Sequence, residues 1–265
     1  MREPRYSQSL ERGLAILGIF TPERPVLGVV DIAQELGMTR PTTHRYMMTL
    51  QALGFLERAA SRKYRLGLRV TDLGMSALNS TGLRQHSHPH LEELRQYSTY
   101  TTSLAVLDGP EILYVDRARS FRRGQHKIDL NIRLGSRLPA YCTAMGKVLL
   151  ANLADAEQTE IISAMKLSSR GPNTIKTKKS LHAELKQVRE EGLAVNNEEL
   201  SSGLVSIATS IRSEHRETVA AVNLAAHTSM ISLQALIDQL FPHLQSCADQ
   251  ISARLGFRRN NQTSI

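Results

Sequence analysis

The sequence is poor in cysteine and has no long hydrophobic run. Its 265 residues include only two cysteines, Cys142 and Cys247, and their wide separation indicates neither a disulfide framework nor a zinc ribbon. No apolar run approaches the ~20 residues of a membrane span. The short apolar run at 14–20 has acidic residues in its flank and no small-residue cleavage site after it, which argues against a signal peptide. We therefore expect a cytoplasmic protein with no membrane partner.

Catalytic and metal-binding motifs are missing as well. The sequence has no Gly-rich phosphate loop, G-x-S-x-G elbow or H-E-x-x-H pair. The pair Glu198–Glu199 is interpreted as a solvated turn rather than an acid/base pair. His86, His88 and His90 alternate along the chain, so they do not share one helical face, and Pro89 interrupts them. We therefore expect no catalytic residue, no metal and no cofactor.

Positive charge is concentrated near the N-terminus. The formal net charge is +8, and residues 1–70 contain eleven Lys or Arg against six Asp or Glu. The overall composition, 41% hydrophobic and 22% charged, is that of a globular protein. A local basic surplus is compatible with a polyanionic partner for this part of the chain.

Three short amphipathic helices are predicted in the basic segment, over 8–20, 28–36 and 40–53. Gly37 ends the second helix, and Thr39 is a favourable N-cap for the third helix, with Pro41 in its first turn. Two helices joined by a short turn that contains glycine form a helix-turn-helix, whose second helix lies in the DNA major groove.

The third helix has distinct apolar and polar sides. The apolar side is predicted to bury Tyr46, Met47, Leu50 and Leu53. No carboxylate occurs between Glu35 and Glu57, so nothing acidic opposes a DNA backbone here. The predicted DNA contacts of this segment are Thr39, Arg40, Pro41, Thr42, Thr43, His44 and Arg45.

A basic hairpin follows the third helix. Phe55–Arg58 and Tyr64–Leu66 are predicted strands, and we interpret the loop with Arg62 and Lys63 as a DNA-binding wing. The alternative is a solvated hairpin beside an ordinary pair of helices. The helices, the hairpin and the local charge together favour DNA binding.

The rest of the chain predicts an α+β fold with a mainly antiparallel sheet, because strands are followed by helices and then by strands again. We expect a DNA-binding domain at 1–70, a linker helix at 71–84 and a second domain at 85–265. Predicted strands cover 101–107, 112–117, 128–132, 193–195, 204–211 and 218–224, and predicted helices cover 143–153, 155–165, 180–191 and 230–255.

Small polar residues occur within apolar segments of the second domain. Thr143, Asn196, Ser206 and Asn223 have the composition of a pocket for a small polar ligand. The alternative, that these side chains only satisfy local backbone groups, remains open at this point.

Four segments of the chain form a recognisable set: SLERGLAIL at 9–17, TRPTTHRY at 39–46, GSRLPAYCTAMGKVLLA at 135–151 and NEELSSGLVSIA at 197–208. Together they resemble the IclR family of bacterial transcription regulators. They follow the family's order, and the resemblance covers nearly the whole chain. The third segment is most similar to the branch that regulates protocatechuate, 4-hydroxybenzoate and β-ketoadipate catabolism.

The resemblance implies a winged helix-turn-helix, a linker helix and a GAF-like effector domain, assembled as a homodimer or homotetramer on double-stranded operator DNA. It also implies that the backbone N–H groups of Ala144 and Met145 bind an effector carboxylate. Arg117 and Arg119 are further candidates for charge recognition of the effector, although we favour the interpretation that both are solvated surface residues. The implied effector-binding residues are Arg137, Tyr141, Thr143, Ala144, Met145, Asn196, Ser206 and Asn223.

The chain departs from the type member of the family in the implied pocket. Asn196, Ser206 and Ala225 stand where that member has an acidic residue, a cysteine and a serine. A short keto-acid effector is therefore not expected, whereas an aromatic acid is compatible with these residues. The expected partner is a small carboxylate effector, either an aromatic acid or a β-ketoadipate-like acid.

We accordingly expect a ligand-responsive DNA-binding regulator. One alternative is an enzyme that acts on a small acid and carries an appended nucleic-acid-binding module, although no nucleophile–base or metal constellation supports it. Another is a protein-interaction adaptor, which would lack salt-dependent affinity for DNA.

Overall fold

The computed structural model describes residues 6–79, 82–121 and 132–258, and the chain divides into two compact units, Met1–Ser80 and Thr81–Ile265. The predicted strand at 128–132 lies outside the described residues except for its last residue. Among the helices of the described ranges, none has the length and apolar character needed to cross a membrane.

The first unit contains four helices and a two-stranded hairpin among its described residues. These are α1 (Gln8–Gly18), α2 (Val29–Glu35), α3 (Arg40–Ala52), β1 (Leu56–Arg58), β2 (Tyr64–Leu66) and α4 (Arg69–Asn79). The predicted linker at 71–84 thus overlaps α4 and includes the start of the helix that follows it.

The turn between α2 and α3 satisfies the backbone groups at the end of α2. Gly37 adopts a left-handed conformation with φ 61°, which glycine accepts without steric cost. The N–H of Met38 donates to the carbonyl of Ala33 at 2.9 Å, as in a Schellman motif. The chain therefore reverses within a few residues, as a helix-turn-helix requires.

A small apolar core holds the first unit together. It includes Ile16 from α1, Ile32 from α2, Met47 from α3 and Tyr64 from β2. Leu53 was predicted to join this core, but its side chain is 49% exposed. The prediction was wrong because α3 ends at Ala52 and Leu53 is already the C-cap residue.

The second unit is built around a six-stranded antiparallel sheet, which confirms the predicted α+β class. Its strands, in the order β5-β4-β3-β8-β7-β6, are β3 (Thr101–Asp108), β4 (Glu111–Ala118), β5 (Arg137–Pro139), β6 (Ala194–Asn197), β7 (Leu204–Arg212) and β8 (Thr218–His227). Its helices are α5 (Leu83–Ser98), α6 (Ala144–Ala151), α7 (Asp155–Ala164), α8 (Lys178–Glu191) and α9 (Leu233–Arg254).

Helices cover both faces of this sheet. α6 packs on β7 and β8 and is supported by α8, whereas α5 and α9 pack against each other on the opposite face. The Thr102 hydroxyl, for example, donates to the Leu91 carbonyl of α5 at 2.9 Å. Pro89 lies inside α5, so the expectation that it interrupts the histidine segment was wrong.

A β-bulge in β4 changes which of its residues face each layer. Leu104 pairs with Asp116, but its neighbour Ala105 pairs with Tyr114, so Val115 is the extra residue. Asp116 is buried toward α5, where its carboxylate lies 3.0 Å from His88 Nδ1 and 3.7 Å from Arg84 Nε. Arg117, the next residue, turns to the face covered by α6.

We predict that Gly146→Ala destabilises the second unit. Gly146 lies in α6 against the backbone of Ala140, and an added Cβ would overlap the Ala140 carbonyl oxygen. Backbone cannot move aside as a flexible side chain can, so the expected loss is about 1–3 kcal/mol. Denaturant unfolding followed by circular dichroism measures it.

Gly74→Ala in α4 is the matched control, because among the described residues no atom beyond its chain neighbours and its own helix backbone lies within 4 Å of the added Cβ. This change should be neutral or stabilise the protein by about 0.5–1 kcal/mol, since alanine favours helix over glycine. Equal unfolding midpoints for the two variants would contradict the close packing at Gly146.

Candidate functional site

The N-terminal turn of α3 presents polar and basic side chains to solvent. Arg40, Pro41, His44 and Arg45 are exposed, and the first turn contains no acidic residue. Thr39 is the N-cap, and its Oγ1 lies 3.4 Å from the backbone nitrogen of Thr42. The start of α3 therefore combines positive side chains with a helix N-terminus, which suits phosphate groups and base edges.

Thr43 does not belong to this exposed surface. Its side chain is fully buried, and its hydroxyl donates to the carbonyl of Thr39 at 3.1 Å. Thr43 was predicted to contact DNA, and this prediction is corrected because the residue lies in the core. Thr42, its neighbour, is half-buried.

The hairpin presents a second basic surface. Ser61 and Arg62 both have φ near 58°, so they form the tight two-residue turn that matches the twist of paired strands. Arg62 and Lys63 are exposed at its tip. At the base, the Tyr64 hydroxyl lies 3.9 Å from Met48 Sδ of α3, and this contact fixes the hairpin beside the helix.

A small cavity lies between the sheet and α6 in the second unit. The volume open to the centres of water molecules is about 30 Å³, enough for about two waters. An effector the size of an aromatic acid would thus have to displace some of the lining side chains. The cavity is lined by Thr101, Ser103, Tyr114, Arg117, Ile132, Thr143, Ala144, Met145, Asn196, Leu200, Leu204, Ser206, Asn223 and Ala225.

Several polar side chains that line this cavity have no hydrogen-bond partner in the part of the chain that the structure describes. The hydroxyls of Ser103, Tyr114 and Ser206 make no hydrogen bond with described residues, and Asn223 Oδ1 is buried without one. Burial raises the pKa of Tyr114 to about 12, so its hydroxyl stays protonated near neutral pH. A buried polar group without a partner is costly, so these groups suit a polar ligand.

The N-terminus of α6 borders the same cavity. Thr143 caps the helix, with its Oγ1 accepting from Gly146 N at 3.2 Å. The preceding N–H groups, those of Ala144 and Met145, have no acceptor among the described residues. Free N–H groups at a helix N-terminus favour an anion.

Asn196 lines the cavity, but unlike the side chains described above it makes hydrogen bonds within the protein. Its Nδ2 donates to the Cys142 carbonyl at 3.3 Å, and its Oδ1 accepts from Glu199 N at 2.9 Å. The side chain therefore ties the turn before α6 to the loop after β6. It retains only one amide hydrogen for a ligand.

Two predicted pocket residues lie outside the cavity. Arg137 pairs with Asp108 at the surface, and the Tyr141 hydroxyl donates to the Ser168 carbonyl at 2.6 Å. Both residues were predicted to bind the effector, and this prediction is corrected because neither side chain lines the cavity. Arg117 was interpreted as a surface residue, but it lines the cavity, whereas Arg119 is exposed as expected.

A cluster of charged side chains links α6 to α8 and to the loop after β6. Lys147 is fully buried, and its Nζ lies 2.6 Å from Glu199 Oε1 and 2.7 Å from Glu184 Oε1. Burial raises the pKa of Glu199, although the ammonium of Lys147 opposes this. The solvated turn expected at Glu198–Glu199 was therefore wrong for Glu199, which is 5% exposed.

Fold and sites together define a DNA-binding regulator with a ligand-binding domain. Two family models match the chain: the IclR helix-turn-helix domain over residues 9–60 and the bacterial transcriptional regulator IclR C-terminal domain over residues 75–253. The chain belongs to the IclR family of bacterial transcription regulators. This family assignment sets aside the enzyme alternative.

The relatives that this chain matches are transcriptional regulators. The chain is 31% identical to the HTH-type transcriptional regulator XynR of Escherichia coli (94% of this chain, 98% of the relative) and 31% identical to the Pca regulon regulatory protein of Pseudomonas putida (96% and 86%). A solved IclR homologue from Microbacterium hydrocarbonoxydans, in complex with 4-hydroxybenzoate, is 27% identical, with a TM-score of 0.81 and coverage of 94% and 99%.

Proposed function

We propose that this regulator controls catabolic genes for aromatic acids by binding an aromatic carboxylate or a β-ketoadipate-like acid in the α6 cavity. The observation that carries the proposal is a set of cavity-lining polar groups without a hydrogen-bond partner among the described residues, beside the N–H groups of Ala144 and Met145, which also lack an acceptor there. The Pca relative and the 4-hydroxybenzoate complex support the choice of acid.

The proposed DNA contacts lie on α3 and the hairpin. Arg40, His44 and Arg45 would enter the major groove, with Thr39, Pro41 and Thr42 at the helix start. Arg62 and Lys63 would contact phosphates. Two copies in a homodimer or homotetramer would place two such surfaces on double-stranded operator DNA, as pseudo-palindromic sites require.

In the proposed pocket, one effector carboxylate accepts from the Ala144 and Met145 N–H groups. Ser206 and Asn223 orient the ligand from β7 and β8, while Thr143 and Asn196 hold the turn before α6 in place. The apolar residues Leu200 and Leu204 would contact an aromatic or aliphatic body.

Arg45→Ala and Arg40→Ala should weaken specific DNA binding without unfolding the protein. Each arginine projects from the exposed side of α3, and the loss of a bidentate base contact costs about 1–3 kcal/mol. Affinity is measured at one fixed salt concentration on a duplex selected by the wild type from a random library. Arg24→Ala is the control, because Arg24 pairs with Glu35 at 2.7 Å in the same unit. Wild-type affinity in both α3 variants would refute the assignment.

Replacing Arg62 and Lys63 together by alanine should weaken binding to all duplexes by a similar factor. Phosphate contacts release counterions but carry no base information, so the slope of log K against log salt should fall by about 1.8 for two contacts. Titrations of selected and scrambled duplexes at several salt concentrations test this. A loss restricted to the selected duplex would show that the hairpin contacts bases instead.

Ser206→Ala should reduce effector affinity, because a ligand group would lose its hydrogen-bond partner in a mostly dry site, at a cost of about 1–3 kcal/mol. Calorimetry of the full chain with 4-hydroxybenzoate, protocatechuate and β-ketoadipate measures this. Ser210→Ala on the same strand, outside the cavity lining, is the control and should bind as the wild type does.

The same titrations, repeated with bound DNA, test regulation. An acid that weakens DNA binding must itself bind more weakly to the DNA complex, by the same factor. Absence of binding by all three acids would refute the proposed effector class, and full affinity in Ser206→Ala would place the pocket elsewhere.

A further inference from the structure

A large apolar side chain lies on the exposed side of α3, among the residues proposed to contact DNA. Met48 is 41% exposed, whereas its neighbour Met47 is fully buried in the core of the first unit. Methionine carries no charge and no hydrogen-bond donor. The phosphate and base-edge contacts proposed for His44 and Arg45 are therefore not available to Met48, and its position indicates an apolar partner.

Met48 continues the stripe of α3 that faces away from the core. Pro41, His44, Arg45 and Met48 follow the spacing i, i+3, i+4, i+7, which places them on one face of a helix, and all four are exposed. Met48 lies about 4.5 Å beyond Arg45 along the helix axis, close to the ~3.4 Å between successive base pairs. A helix that places Arg45 at a base edge therefore brings Met48 to an adjacent base pair.

The hairpin restricts the far end of the Met48 side chain. The Tyr64 hydroxyl of β2 lies 3.9 Å from Met48 Sδ, and Tyr64 itself is 2% exposed in the core. A thioether sulfur is a weak hydrogen-bond acceptor, so a hydroxyl anchored in the core favours this position of the sulfur. Met48 is thus held beside the hairpin, with its exposed part on the same side of α3 as His44 and Arg45.

The major groove offers a specific apolar partner. Among the groups that base pairs present there, the C5-methyl group of thymine is apolar, whereas the others are hydrogen-bond donors or acceptors. Phosphates are charged, and a thioether cannot pair with them. An apolar side chain that reaches the major groove therefore favours thymine over the other bases.

We propose that Met48 is a specificity-determining residue that contacts the C5-methyl group of a thymine in each half-site of the operator. This inference rests on the proposed function, in which α3 enters the major groove of operator DNA. It adds the recognition of an A·T pair next to the base pairs contacted by the arginines of α3.

Removal of single methyl groups from the DNA tests the proposal on the full-length protein. Deoxyuridine keeps every hydrogen-bonding group of thymine and lacks only the C5-methyl group. Each thymine of the duplex selected by the wild type is therefore replaced singly by deoxyuridine, and affinity is measured at one fixed salt concentration. At one position of each half-site, affinity should fall about fourfold, which corresponds to about 0.8 kcal/mol for one buried methyl-sized group.

Variants of Met48 assign this loss to its side chain. Met48→Ala and Met48→Gln should bind the thymine and deoxyuridine duplexes equally at that position. The glutamine keeps the side-chain length and an acceptor for the Tyr64 hydroxyl, so it provides a second readout if the alanine variant does not fold. Met48→Leu keeps an apolar side chain of similar size and should retain most of the loss.

Leu53→Ala is the matched control. Leu53 is also a large apolar side chain, 49% exposed, at the C-cap of α3, but it lies about 140° around the helix axis from Met48. This variant should lose as much affinity on the deoxyuridine duplex as the wild type does. Circular dichroism shows which of the variants are folded.

The outcomes separate this inference from the proposed function. Two results overturn the role of Met48: no thymine whose replacement weakens wild-type binding, or a loss that persists in the folded Met48→Ala and Met48→Gln variants. Disappearance of the loss in Leu53→Ala overturns it as well, because the loss would then not depend on a contact of Met48. In each case α3 remains the DNA-contacting helix if Arg40→Ala and Arg45→Ala weaken binding, whereas wild-type affinity in both arginine variants overturns both proposals.

Discussion

The cavity between the sheet and α6 depends on how closely α6 approaches the turn that precedes it. Gly146 allows the helix backbone to contact Ala140, and any larger residue would push α6 outward. On the other side, the buried ammonium of Lys147 attracts Glu199 from the loop after β6. Because breaking a buried ion pair leaves an uncompensated charge, these two contacts fix the N-terminus of α6 over the sheet.

Much of the first unit follows from local sequence rules. Helical spacing of apolar residues, the Thr39 cap and the Gly37 turn predicted α2 and α3 closely, since capping and turn chemistry act within a few residues. Thr43 shows where these rules stop. The hydroxyl of Thr43 suggested an exposed position. In the structure this hydroxyl donates a hydrogen bond to the backbone carbonyl of Thr39, so the side chain can be buried without losing a hydrogen-bond partner.

The cavity could be predicted only in part. Ser206 and Asn223 were found because a polar residue inside an apolar strand is visible in the sequence. For Arg117 a surface position was favoured over a role in the pocket, because the direction of its side chain depends on the bulge at Val115, which is set by pairing with a neighbouring strand and leaves no local signal. Arg137 was assigned by resemblance alone, and its partner Asp108 was not foreseeable from spacing.

Ordinary strand alternation in β4 places a charged side chain on each face of the sheet at two consecutive positions. Asp116 and Arg117 are consecutive residues, yet one carboxylate meets α5 through His88 and Arg84 while the next side chain borders the cavity. The backbone N–H of Arg117 even donates to the Asp116 carboxylate at 2.8 Å. One peptide unit therefore joins the carboxylate that pairs with α5 to the arginine that borders the cavity, so the backbone of β4 itself links the two faces of the sheet at this point.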